Sequence, residues 1–210
     1  MAIRTLLSGS ALLLVLGGGL LSAPASATTL VPLSVEQMTD AADRIVRATV
    51  TEVWAEEDVQ GQIWTRVQIE VDAILKGGET QALIVDQLGG IYHNDYAPIV
   101  GAARFSPGEE AIFFLEQFDS GRLSVVGLFQ GKYTVRIDPD TAREMLVRFA
   151  PHQSKVYDHR FIPHPPLDER KYVEDMESQI LDQLERGWDG TPIPGANTEK
   201  LRRINKVQGE

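Results

Sequence analysis

Apolar and polar residues alternate along two neighbouring stretches of the chain. The first stretch covers residues 45–51, and the second, residues 63–75, is the longest alternation in the sequence. A period of two places alternate side chains on opposite faces of a β-strand. The polar, glycine-containing segment 56–61 separates the two stretches. Together they predict a β-hairpin with one apolar face.

The alternation also predicts the register of this hairpin. Apolar residues fall mainly at even positions in the first strand and at odd positions in the second. A slip of one residue would turn every side chain to the wrong face, so residues that face each other should have numbers with an odd sum. Val50 is therefore expected opposite Val67 or Ile69. Without a bulge, Trp54 would lie on the core side of the sheet and Trp64 on the opposite face.

Further short apolar segments predict the rest of the sheet. Residues 111–115 form a continuous apolar run, which is typical of a strand covered on both faces, here by a barrel interior and a docked helix. The other segments are 83–85, 123–128, 132–137 and 145–147. Asp138-Pro139-Asp140 favours a turn before the last of these, and a helix cap is the alternative. About five to seven short strands at this spacing predict a mainly β fold, a small antiparallel barrel or sandwich.

Two helices are predicted at the ends of this sheet. Ser34 followed three residues later by Gln37 is a capping-box pattern, which predicts a short helix over about 35–43. A second helix starts near Leu167 and ends at Gly187. Its apolar stripe consists of Tyr172, Val173, Met176, Ile180 and Leu184. An isolated helix of this length is marginal in water, so the stripe should be buried against the barrel or against a second copy of the protein.

The N-terminal residues have the pattern of an export signal. Arg4 precedes the apolar stretch 11–21, and Ala25-Ser26-Ala27 supplies the small residues before a cleavage site. The stretch is too short to span a bilayer. We therefore expect cleavage after Ala27, a secreted or periplasmic location, and no stable membrane insertion afterwards.

Composition shifts divide the remaining chain. Prolines mark an extended connector after Phe149, and mostly polar residues follow Gly187. The predicted organisation is a signal peptide (1–27), a β-barrel domain (28–150), a Pro-rich connector with the amphipathic helix (151–187) and a mobile tail (188–210).

The net charge and the absence of cysteine limit which partners and cross-links are expected. The chain has a formal charge of −10 and no cysteine. Nucleic acid and anionic lipid both require clustered positive charge, so neither is an expected partner. Without cysteine, no disulfide can brace the exported domain.

Several short motifs resemble those of known exported proteins. They are Ala48-Thr49-Val50, Leu75-Lys76-Gly77, Gly89-Gly90, Gly108-Glu109-Glu110, Phe114-Leu115, Gly127 and Gly131-Lys132-Tyr133. Their order over about residues 33–135 resembles a group of uncharacterised exported bacterial proteins and, more distantly, the netrin and tissue-metalloprotease-inhibitor module. The resemblance implies an OB-like barrel. Thr28 stands where such inhibitors carry a metal-ligating cysteine, and a shared fold does not carry its function with it.

Two features are candidate ligand sites. The segment 89–107 is long for a loop without secondary structure, which favours a functional role, and it combines aromatic and hydrogen-bonding groups suited to a glycan or a peptide. An outward-facing tryptophan on the second strand can serve as a recognition platform, unless one of the helices covers it. The candidate ligand-binding residues are Trp64, Tyr92, His93, Asp95 and Tyr96. The alternative for the two tyrosines is that they pack back onto the barrel.

Catalytic chemistry has no clear signature. The sequence lacks a Gly-x-Ser-x-Gly motif and cysteine. His152, His159 and His164 lie in the Pro-rich connector, where imidazoles can hold Zn²⁺, but their spacing matches no ligand motif. We expect no catalytic residue, no metal and no cofactor.

The sequence therefore predicts an exported, non-enzymatic binding module for a protein or cell-envelope ligand. The alternatives are a protease-inhibitor-like protein and a metal-dependent hydrolase that uses the histidines of the connector.

Overall fold

The computed structural model describes residues 29–151, 155–156, 170–197 and 199–201. The helices are α1 (Val35–Ala41) and α2 (Val173–Arg186). The strands are β1 (Thr29–Leu30), β2 (Arg44–Glu57), β3 (Ile63–Lys76), β4 (Ala82–Leu88), β5 (Gly90–Tyr92), β6 (Asp95–Ala97), β7 (Glu110–Gln117), β8 (Leu123–Val125), β9 (Lys132–Ile137), β10 (Glu144–Val147), β11 (Lys155–Val156) and β12 (Arg170–Tyr172).

The fold is mainly β, and five of its strands close into a barrel in the order β7-β2-β3-β4-β8 and back to β7. Four of these pairings are antiparallel, whereas β4 and β8 pair in parallel at Val85 and Leu123. The expectation of a purely antiparallel barrel is therefore corrected. The reason is geometric: strand directions cannot alternate all the way round a ring with an odd number of strands, so one neighbouring pair must run in parallel.

Strand β7 separates two apolar cores. Ala111, Phe113 and Leu115 point into the barrel, and Ile112 and Phe114 point to the opposite side, towards the helices. All five side chains are inaccessible to solvent. The continuous apolar run is thus confirmed as a strand covered on both faces. On the edge opposite β2, the last residues of β7 pair with β8 and its earlier residues pair with β9, which extends the sheet through β10 to β12.

The β2–β3 hairpin has the predicted odd-sum register around Val50 but not throughout, because the register also shifts at Ile45/Val46 and at Arg47/Ala48. Val50 pairs with Ile69, as expected. The register then shifts between Val50 and Glu52, and Trp54 pairs with Arg66. Because one extra residue in a bulged strand reverses the faces beyond it, Trp54 does not lie on the core side. It joins Trp64 on the outer face of the barrel.

The two helices pack on the outer side of β7. The predicted capping box of α1 is present in both directions between Ser34 and Gln37. In α2, Val173, Met176 and Ile180 are buried in the core that also contains Ile112 and Phe114. The stripe is therefore covered by this chain's own α1 and sheet, not left for a second copy. Gly187 ends α2 in a left-handed conformation, φ 69°.

Residues 188–197 and 199–201, which the sequence places at the start of a mobile tail, return to this core. Ile193 and Leu201 are buried in it, and Trp188 and Ala196 pack against its edge. Two short pairings join the Pro-rich connector to the rest of the chain. Strand β11, within the connector, pairs with β1, and β12, just before α2, pairs with β10. The predicted signal peptide, most of the connector and the last nine residues lie outside the described residues.

Candidate functional site

A groove of about 820 Å³ runs across the outer surface of the barrel. Its floor is formed by β3, β4, β7 and β8, and segments 30–33 and 193–196 form its walls. We call it the barrel groove. Its side chains of chemical interest are Trp64, Asp86, Leu88, Glu116, Phe118, Arg122 and Ser124. Most of the lining surface is apolar, and the few polar groups converge on the floor.

Strand alternation explains why these side chains face the groove. Val85, Leu115 and Val125 point into the barrel core. Their immediate neighbours in the chain, such as Asp86 and Glu116, must therefore point outward. The groove polar groups thus occupy the outer positions of strands whose inner positions hold the barrel together.

Trp64 is held on the groove floor by two polar partners, Asp58 and Arg122, and Asp86 in turn holds Arg122. Its indole Nε1 donates a hydrogen bond to Asp58 Oδ2 at 2.8 Å. The guanidinium of Arg122 lies 4.2 Å from the centre of the Trp64 ring, a cation–π geometry. Arg122 Nη1 in turn donates to Asp86 Oδ1 at 3.2 Å. Trp64 is therefore covered by Arg122 from the β7–β8 turn, not by either helix.

Arg66 forms a second layer beside this arrangement. Its Nη1 donates to Glu56 Oε1 at 2.6 Å. Its Nε lies 2.6 Å from Asp86 Oδ1, close enough for an ion pair although off the direction of a hydrogen bond. The Trp54 ring lies 5.9 Å away. Two guanidiniums therefore share the Asp86 carboxylate.

Asp86 is 4% exposed, and burial raises its pKa, while Arg66 and Arg122 act in the opposite direction. A carboxylate with two guanidinium neighbours at ion-pair distance remains ionised at neutral pH. Its charge is thus compensated within the protein. Asp86 fixes the positions of the two arginines and leaves little charge to attract a ligand.

Glu116 differs from Asp86 in having no such compensation. It is partly buried, and among the described residues its carboxylate has no hydrogen bond or ion pair. Burial raises its pKa, and Lys200 lowers it only through a Coulombic effect. The ammonium of Lys200 is instead bonded to Asp43 and to the carbonyl oxygen of Gln117. Among the described residues, the Glu116 carboxylate therefore lines the groove without an ion-pair or hydrogen-bond partner.

The segment 89–107, expected to lack secondary structure, contains the hairpin β5–β6. Its turn holds His93 in a left-handed conformation, φ 52°, as tight hairpin turns require at one central residue. Tyr92 pairs with Asp95, and Ile91 pairs with Tyr96. Paired residues share a face, so Tyr96 lies on the opposite face from Tyr92 and Asp95.

The structure places the predicted binding residues at two locations. Trp64 lines the barrel groove, whereas the other four candidates are at the end of the β5–β6 hairpin and do not line it. There the centres of the Tyr92 and His93 rings lie 4.3 Å apart in an edge-to-face arrangement, and Tyr96 is 71% exposed. The two tyrosines do not pack back onto the barrel in the same way, since only Tyr92 is partly buried.

Within the described ranges, no group of three or more His, Asp or Glu side chains is arranged to hold a metal ion. His152, His159 and His164 lie outside the described residues. None of the helices in the described part of the chain is long and apolar enough to cross a bilayer.

Comparison with known proteins adds no family: no protein-family model matches the chain, and no curated protein matches it.

Sequence reasoning missed Asp86, Glu116 and Arg122 as groove residues. Arg122 lies in a turn and contributes to the groove only after β8 has closed the barrel. The available signal was Glu116, which occupies the position two residues after Phe114 on a face whose other members are apolar.

Proposed function

We propose that this protein is an exported, non-enzymatic binding module that receives a protein or cell-envelope ligand in the barrel groove. The observation that carries the proposal is the groove itself. A volume of about 820 Å³, a mostly apolar lining and a few converging polar groups are the usual properties of a ligand site.

The strand order supports an OB-type barrel. Counted in chain order, the barrel strands are β2, β3, β4, β7 and β8, and the last of them inserts between β4 and β7. OB folds are five-stranded Greek-key barrels that bind ligands on their second and third strands and on the loop between the fourth and fifth. Trp64, Asp86 and Arg122 occupy those three elements. The location of the groove therefore agrees with ligand binding by this class of barrel.

The polar network favours binding over catalysis. Asp86 is engaged by both Arg66 and Arg122, and Arg122 also stacks on Trp64. Asp86 and the two arginines, fixed in this way, hold an aromatic platform in place and are not free to exchange a proton with a substrate, as a general acid or base must be.

Site-specific photo-cross-linking in the native host tests the proposal. A photoreactive amino acid at Leu88, a groove residue that is 41% exposed, should cross-link to the ligand. The matched control is Ile137, which is 60% exposed on β9 and does not line the groove. Cross-linking from Leu88 alone is the expected result. Equal products from both positions, or none from Leu88, would contradict a ligand site in the groove.

A further inference from the structure

The structure points to the chemistry of the ligand. We propose that the groove accepts a polypeptide segment in which a Lys or Arg is flanked by apolar residues, and that the cation of this residue pairs with Glu116. The inference rests on the proposed function, since it assumes that the barrel groove is the binding site.

The apolar part of the ligand follows from the groove rim. Leu88, Ile99 and Phe118 line the groove and are all exposed, by 41%, 37% and 50% respectively. Clustered apolar side chains left in water are typical of interaction surfaces. Covering them with apolar side chains of a partner would stabilise the complex.

The cationic part follows from the charges at the same place. The Asp86 charge is compensated by Arg66 and Arg122. Glu116 and the exposed Asp119 also line the groove, and neither has an ion pair among the described residues. The uncompensated charge of the groove is therefore negative, which complements a cation.

Lys and Arg suit this combination better than a small cation would. Their aliphatic stems can lie along Phe118 and the other apolar groove residues while the charged end reaches Glu116. An anionic lipid headgroup would meet like charge at Glu116 and Asp119, on a protein of net charge −10. A glycan would leave the apolar rim without complementary surface. A basic and apolar polypeptide segment satisfies both features.

The state of Glu116 in the free protein supports the same inference. Burial raises the pKa of this carboxyl, so ionisation is disfavoured there without a partner. A ligand cation would offset that cost. Binding of the cation should accordingly weaken as pH falls through the pKa of Glu116, because the protonated carboxyl no longer attracts it.

Selection from a phage-displayed library of random peptides tests the inference on the purified protein. The selected peptides should combine apolar residues with Lys or Arg. The same selection on Glu116→Gln should lose the enrichment of basic residues. Glu79→Gln, which removes the same charge from an exposed turn outside the groove, should retain it.

A matched peptide pair then measures the ion pair directly. Replacing the Lys of the best selected peptide with norleucine keeps most of the aliphatic stem and removes the charge. Fluorescence anisotropy should show about tenfold weaker binding to the unmodified protein, roughly the effect of one favourable partly buried ion pair. With Glu116→Gln the two peptides should bind equally well.

The outcomes separate the two proposals. Enrichment of apolar peptides without basic residues, or no enrichment of any peptide, would overturn the proposal of a cationic polypeptide ligand. If Leu88 still cross-links, the groove would remain a site for another ligand. Peptides whose binding is insensitive to Leu88→Arg, together with no cross-linking from Leu88, would overturn the groove as the binding site. A melting temperature of Glu116→Gln at or above that of the unmodified protein shows that the variant is folded.

Discussion

Replacing Ile180 with Asp should destabilise the protein far more than the same replacement at Leu181, one residue further along α2. The Ile180 side chain has no exposure to solvent and lies in the core between α2, α1 and the sheet. The Leu181 side chain is 51% exposed. The two variants therefore introduce the same charge into the same helix, on its buried and its solvent-facing side.

The expected difference can be worked from these exposures. Ile180→Asp forfeits about 2 to 3 kcal/mol of apolar burial and places an unpaired carboxylate in a dry core, which costs at least about 3 kcal/mol more. That total, roughly 5 kcal/mol or above, approaches the whole stability of a typical domain. Leu181→Asp loses about 0.5 kcal/mol of helix propensity and part of a half-exposed contact, so its cost should stay near 1 kcal/mol.

Urea denaturation followed by circular dichroism measures both costs as shifts in the midpoint at constant slope. If Ile180→Asp does not fold, Ile180→Ala should still fold and lose about 2 to 5 kcal/mol. Equal midpoints for the variants at 180 and 181 would refute the reasoning, because they would mean that α2 does not bury its apolar stripe. Gln179 is unsuitable as the control position, since its side chain bridges Lys171 and Glu36.

Three further outcomes are expected. Glu109→Gln should lower the free energy of unfolding by about 3 to 5 kcal/mol in urea denaturation, because the buried Lys132 ammonium loses its carboxylate partner at 2.7 Å. Adding Lys132→Met should recover most of that loss. A double variant whose loss equals the sum of the two single losses would contradict this. Hydrogen bonds, chiefly from the Asp140 backbone N–H, lower the pKa of Asp138 from 3.8 to about 2. The contribution of Asp138 to stability is therefore present above pH 3.8 and lost as pH falls towards 2. Asp138→Asn should flatten the dependence of stability on pH in that range. Gly89→Ala should lower the melting temperature, since φ is +87° and an added Cβ would clash with the backbone oxygen of Ala97. An unchanged melting temperature would show that the β5–β6 hairpin moves freely against the barrel.

Much of the fold follows from local sequence signals. The capping box at Ser34 and the apolar run in β7 each depend on residues close together in the chain. The period-two alternation of β2 and β3 is also local, and it predicts Val67 or Ile69 opposite Val50, of which the structure has Ile69. Predictions of this kind succeed because hydrogen bonding at a helix end and the face of a strand are decided within a few residues.

The errors lie where distant parts of the chain decide the geometry. The bulge after Val50 reverses the face of Trp54, and nothing in the alternation marks it. The parallel pairing of β4 with β8 is required only once the ring has closed with five strands. The hairpin in segment 89–107 is a different case, because its turn at His93 is local and His is enriched among the non-glycine residues that adopt positive φ. Bulges and ring closure, in contrast, are tertiary effects that residue patterns do not contain.

The groove illustrates how such a site could still be recognised. Its members come from β3, β4, β7 and β8, which are far apart in sequence, so no motif links them. Glu116 nevertheless interrupts the apolar pattern on its face of β7. Ile112 and Phe114 occupy the same face of β7 and are fully buried, and a carboxylate two residues further on the same face should be unfavourable unless solvent or a partner reaches it. A charged residue that continues a buried alternation therefore marks the place where a core face becomes accessible to solvent, and here it is where the barrel groove begins.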